Sequence, residues 1–96
     1  MLHILLNSPY RISIPSLLSF SSKFDDLICI QDGVILSVIN DSYLKKIYKN
    51  FNLIYFLEND LFARGLLQKN KKNNLILLNY ESFVFLTYGH TSNMTW

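Results

Sequence analysis

The chain alternates short apolar runs with polar punctuation, and the spacing inside each run identifies an element. Leu2 to Leu6 is the first run, closed by Asn7-Ser8-Pro9, and predicts a strand that ends in a loop. Ser13 is placed as an N-cap ahead of Pro15, whose missing N–H costs nothing in the first turn of a helix. Ile14, Leu17 and Leu18 fall at helical spacing, so a short helix from Pro15 to about Ser21 is expected. Asp26 to Gln31 follows, with Leu27-Ile28-Cys29-Ile30 unbroken between an acidic pair and Asp32-Gly33. Such a run reads as a strand buried on both faces, with buried helix as the alternative at this length. Gly33 ends it, because glycine reaches backbone angles that Cβ sterics deny to other residues.

Val34 to Ile39 fits strand or helix by pattern, and a short helix is the return path the neighbouring elements require. Asn40-Asp41-Ser42 is a capping signal. Behind it Tyr43, Leu44, Ile47 and Tyr48 form an apolar stripe, with Lys45, Lys46 and Lys49 opposite, as in an amphipathic surface helix. Leu53 to Leu57 is rich in strand formers and predicts a third strand. Asn59-Asp60 opens a brief helix, Leu61 to Arg64, with Gly65 placed to stop it. Gln68 to Asn74 is a polar loop, and Leu75 to Leu78 reads as a fourth buried strand. Asn79 caps a last helix from Tyr80 to Tyr88, with Tyr80, Phe83, Val84 and Thr87 on one stripe and Phe85 and Leu86 off it. A helix apolar on more than one side is expected to be buried by more than its own sheet. Gly89 ends it, and His90 to Trp96 reads as a tail.

This alternation predicts an α/β fold: one domain over residues 1–96, with a mostly parallel sheet of about four strands and helices on both faces. Right-handed crossovers should join the strands.

Composition sharpens the picture. Half of the 96 residues are apolar or aromatic and only 17% are charged, a high apolar load for a chain this short. Small folds leave much surface exposed, so part of that load is expected to meet partner chains. The net charge of +2 is too small to argue for nucleic-acid binding by bulk electrostatics. Abundant Lys, Asn and Ile match an A+T-rich coding sequence, which leaves the lysine clusters as solvated faces. One cysteine permits no internal disulfide and fits a reducing compartment. The first residues lack the basic start of a signal peptide, and no run approaches the roughly 20 apolar residues that span a bilayer. A cytoplasmic protein without membrane contact is expected.

Chemistry is sparse. Glycines at 33, 65 and 89 form neither a dinucleotide fingerprint nor a phosphate loop, so a nucleotide-binding flavodoxin-like module ranks last. His3 and His90 lack partners at ligand spacing and are read as hydrogen-bonding or capping residues. Cys29 sits mid-strand between isoleucines with no cation nearby, which raises and hides a thiol rather than activating it. Asp32 is read as a turn residue, Asp60 as a helix-start carboxylate and Arg64 as a salt-bridge partner. No catalytic, cofactor or metal residue is assigned. The alternative is a sulfur-carrying thiol protein that uses Cys29 directly.

Several stretches carry a likeness to a known family. They are Met1-Leu2-His3 with Ser8-Pro9, Leu27 to Val34 ending Gln-Asp-Gly-Val, and Glu58 to Leu66; Phe83 to Thr87 with His90, Met94 and Trp96 complete the set. In order and spacing the chain resembles, end to end, the DsrH-like family, the TusB-type subunits of bacterial Tus sulfur-relay complexes. The resemblance implies a DsrE/DsrF/DsrH-like fold and a heterohexamer with TusC-like and TusD-like sister subunits, two copies of each. It implies that the complex takes persulfide sulfur from one carrier and passes it to another, meeting TusA-like and TusE-like carriers. That sulfur ends in thiolation of the wobble uridine of tRNAs, with no direct tRNA binding by this subunit. In the family the working cysteine lies on the D-type subunit, and the B-type subunit is non-catalytic. Two departures are visible. Asn79-Tyr80 stands where Asp-Tyr is frequent, which conserves capping and loses a charge. Phe20, Ser21 and Ser22 stand where relatives from sulfur oxidisers can carry a cysteine, which favours the tRNA branch. Phe85, Leu86, Met94 and Trp96, off the main stripe or in the tail, are the candidates for partner contact; folding back onto their own core is the alternative.

Overall fold

The computed structural model describes residues 1–39, 41–67 and 75–96. Asn40 of the expected capping signal and the expected polar loop from Gln68 to Asn74 lie outside the described residues. The chain runs through β1 (Leu2–Leu5), α1 (Ile14–Phe20), β2 (Asp26–Cys29), a 3-10 helix (Gln31–Val38) and α2 (Asp41–Asn50). It continues through β3 (Ile54–Leu57), α3 (Glu58–Ala63), β4 (Ile76–Leu78), α4 (Tyr80–Tyr88) and β5 (Asn93–Thr95). No described helix is long and apolar enough to cross a membrane.

Local chemistry sets the helix ends as the sequence implied. Ser13 accepts the N–H of Ser16 at 3.2 Å, with Pro15 in the first turn of α1. Asn79 caps α4 by accepting the N–H of Ser82 at 2.8 Å. Beyond α3, Gly65 adopts φ +66°, and the Leu66 N–H reaches back to the Leu61 carbonyl, closing the helix in the left-handed manner glycine allows. The ambiguous Val34 to Ile39 segment is helical, in the tighter 3-10 form.

The sheet has the order β4-β3-β2-β1-β5, and every neighbouring pair is parallel. From β1 to β4 the chain steps one way; from β4 to β5 it crosses back over the whole sheet. Right-handed crossovers therefore put α1, α2 and α3 on one face and α4 alone on the other. Register agrees. His3, Leu27 and Ile54 align across three strands, as do Leu5, Cys29 and Phe56, and all six are buried on the first face. Leu17 of α1, Ile47 of α2 and Leu61 of α3 join the same buried cluster, with His3 packing edge-on against Phe51. The second face carries buried Leu2, Ile28 and Leu57.

Three expectations need correction. His90 to Trp96 is not a tail: Asn93–Thr95 pairs with β1 and adds a fifth strand to the expected parallel sheet. With one apolar residue in three, β5 is a strand by backbone pairing and not by pattern. Ile76–Leu78 is an edge strand rather than a buried one, with Ile76 and Leu77 exposed, because the return crossover leaves β4 a single neighbour. Tyr80 faces solvent instead of joining the α4 stripe, and α4 buries no residue within this chain.

The turn after β2 runs hard against β1. Gln31 takes φ +49°, uncommon for a residue with a Cβ, and a Cβ on Gly33 would overlap the carbonyl oxygen of Leu5. That oxygen already accepts the Ile30 N–H at 3.0 Å and is fixed by it. Gly33→Ala should therefore cost about 1–3 kcal/mol in urea denaturation, as overpacking does. Gly89→Ala, where the added carbon meets only ordinary contacts at 3.5 Å, should stay within about 0.5 kcal/mol.

Candidate functional site

Open α/β sheets bind ligands beyond the carboxyl ends of their strands, and three chemical candidates meet there. Arg64, following α3, donates through Nε and Nη2 to Asp32 Oδ1, each at 3.1 Å. Its Nη1 lies 3.6 Å from Asp60 Oδ1, while Asp60 Oδ2 accepts the Gln31 N–H at 2.6 Å. The cluster ties the 3-10 helix to α3; Arg64 is the salt-bridge partner expected, while Asp32 lies in the 3-10 helix rather than in a turn. Asp32 is exposed, so the pair contributes little by itself, about 0–1 kcal/mol. A recess of about 320 Å³ is lined by Tyr10, Ile12, Ile14, Pro15 and Ile39, among which only Tyr10 has a polar side-chain group. Among the described residues no group of three or more His, Cys, Asp or Glu is placed to hold a metal ion.

Cys29 lies one residue before this rim and points away from it. Its side chain is fully buried beneath the helix-covered face, and burial pushes the thiol far above its ordinary range. A thiolate, the form that attacks or accepts sulfur, is correspondingly suppressed.

Both histidines hydrogen-bond to aspartates at the opposite, amino end of the strands. Buried His3 bonds through Nε2 to Asp25 Oδ2 at 3.0 Å, and its Nδ1 accepts the Trp96 indole N–H at 3.0 Å. The Met1 ammonium lies 3.1 Å from Asp25 Oδ1. Burial alone would raise the Asp25 carboxyl, but hydrogen bonds from His3 and the ammonium outweigh it and hold the group below its usual value. On the other face His90 bonds to Asp26 Oδ2 at 3.1 Å, tying the end of α4 to β2, while Asn52 and the Leu53 N–H satisfy Asp26 Oδ1.

The largest unspent chemistry is apolar. Phe83, Val84, Leu86 and Thr87 are half-buried on α4, whereas Phe85 is 69% and Tyr88 82% exposed. Tyr80 and the edge residues Ile76 and Leu77 lie exposed in the same stretch of chain. Of the four contact candidates, Phe85 projects from α4 and Leu86 is half-buried beside it. Met94 and Trp96 are half-buried at the β5 edge, where Trp96 packs against the core and sits 5.9 Å from the Phe20 ring. The four fall into two pairs: Phe85 and Leu86 on α4, Met94 and Trp96 at the β5 edge. Tyr88, the last residue of α4, was not among the contact candidates, although a helix apolar on more than one side signals an outer apolar face.

A family model described as DsrH like protein matches residues 7–93. Protein TusB of Escherichia coli (strain K12) is 40% identical over 96 residues, covering all of both chains. Protein TusB of Buchnera aphidicola subsp. Acyrthosiphon pisum (strain 5A) is 38% identical, again over the full length of both. The solution NMR structure of protein Tm0979 from Thermotoga maritima has a TM-score of 0.62 over 94% of each chain; at 21% identity the likeness is one of fold.

The Asp25 cluster carries a sign that can be measured. A carboxyl held below its ordinary 3.8 in the folded chain contributes stability that is full above that value and lost as pH falls through the folded one. Asp25→Asn should cost about 1.5–3 kcal/mol at pH 7, the range for hydrogen bonds to a charged group. Urea midpoints of the two proteins should converge as pH drops below about 4.

Proposed function

The chain belongs to the DsrH-like family, and on that membership we propose that it is a non-catalytic subunit of a sulfur-relay complex serving tRNA wobble-uridine thiolation. In this reading TusC-like and TusD-like sisters assemble with it as a cytoplasmic heterohexamer, and the sister subunits handle the persulfide. TusA-like and TusE-like carriers deliver and collect the sulfur without contact between this chain and tRNA. The observation that carries the reading is the burial of Cys29, whose suppressed thiolate suits a subunit that does not itself accept sulfur. The outer face of α4 supports it from the other side: a short helix that keeps Phe85 and Tyr88 in solvent has apolar area to give a partner. Phe85 and Leu86 make the principal contact, and Met94 with Trp96 a second one at the β5 edge.

Co-expression with C-type and D-type sister subunits, followed by native mass measurement, should give two copies of each chain. A stable monomer that ignores both sisters would contradict the reading. Phe85→Asp should weaken assembly about ten-fold or more while leaving the circular dichroism of the isolated chain unchanged. Incubation with a persulfide donor should leave Cys29 without added sulfur mass, and stoichiometric gain of one sulfur on Cys29 would favour the carrier alternative.

A further inference from the structure

His3 is fully enclosed and carries two polar contacts, and the nature of those contacts fixes the tautomer of its neutral ring. The indole N–H of Trp96 can only donate, so the Nδ1 that receives it at 3.0 Å must be the unprotonated nitrogen. The proton therefore sits on Nε2 and is donated to Asp25 Oδ2. A second proton can enter only at Nδ1, where it would confront the Trp96 N–H, donor against donor.

We propose that His3 is a proton-operated latch, holding the Trp96 indole over the sheet when neutral and releasing it when doubly protonated. The charged groups facing the ring are the Asp25 carboxylate ahead of β2 and, through it, the Met1 ammonium just ahead of β1. The other contacts are uncharged rings: Phe51 after α2, edge-on with centroids 5.5 Å apart, and Trp96 after β5, stacked at 6.2 Å. Phe20 of α1 meets only the far side of Trp96. Release is thus one-sided. Asp25 keeps hold of the protonated ring through Nε2 while the Nδ1 side opens. The strand itself stays docked, since the Trp96 carbonyl accepts the N–H groups of Leu6 and Asn7 at 3.1 and 3.2 Å. Only the indole leaves, uncovering Phe20 and the β5 rim.

Trp96 is the chain's sole tryptophan, so its emission reports the latch without ambiguity. As pH is lowered from neutral, before the chain unfolds, the emission should move to longer wavelength in a one-proton transition while far-ultraviolet circular dichroism stays constant. His3→Gln, which supplies a donor and an acceptor that do not titrate, should abolish the shift. His90→Gln, on the opposite face, should leave it in place. Flat wild-type emission until the whole chain unfolds, or an undiminished shift in His3→Gln, overturns the latch. A second measurement stands independently of any variant: nitrogen-15 NMR of the His3 ring at neutral pH should show the Nε2–H tautomer, and an Nδ1–H tautomer overturns it.

Discussion

The single return crossover from β4 to β5 is the constraint on which the rest of this structure depends. It makes β1 an interior strand, flanked by β2 and β5, and it leaves β4 an edge. Because parallel crossovers are right-handed, it also divides the helices three to one between the faces of the sheet. The well-covered face gathers Leu17, Ile47 and Leu61 over Leu5, Leu27, Cys29 and Phe56 and forms the core. The other face has one nine-residue helix, which keeps its outer aromatics in solvent. A five-stranded sheet spans roughly 20 Å across its strands, about twice the width of a helix, so α4 cannot cover that face alone.

The same asymmetry explains why the chain's chemistry is muted. Cys29 falls on the covered face, where burial suppresses its thiolate. At the carboxyl rim, the place an α/β sheet usually offers a ligand, Arg64, Asp32 and Asp60 engage one another and hold the 3-10 helix against α3. At the amino end both histidines are committed to aspartates. Apolar surface stays exposed along α4 and the β4 edge, and also at Phe20, Phe24 and Phe62, and apolar surface serves association better than catalysis.

Much of this was legible in the sequence where local chemistry decides the outcome. Ser13, Asn79 and Gly65 marked helix ends because caps and left-handed turns act over three or four residues. Leu27-Ile28-Cys29 marked the central strand because a strand buried on both faces has no polar register to hide. One miss was local: the left-handed backbone after β2 falls on Gln31, and Gly33 serves the close approach of the Leu5 carbonyl instead; the others were non-local. Asn93–Thr95 carries almost no strand pattern, and only pairing with β1 makes it one. Ile76–Leu78 looks like a buried strand, and only the return crossover exposes it. Tyr80 sat on a plausible stripe, yet the helix is rotated to put Phe83, Val84 and Leu86 nearer the sheet. The contact candidates Phe85 and Trp96 looked alike by hydropathy, but Trp96 has a buried histidine to bond and Phe85 has only solvent.

On the proposed function, the lone helix on the second face is where partner chains complete this fold. Amide hydrogen exchange, measured on the isolated chain and on the assembled complex, tests it most directly. Exchange along Tyr80 to Tyr88 and the adjoining β4 edge should slow markedly on assembly, while β1 and β2, already protected, change little. A complex that forms with exchange in α4 unchanged would contradict the account.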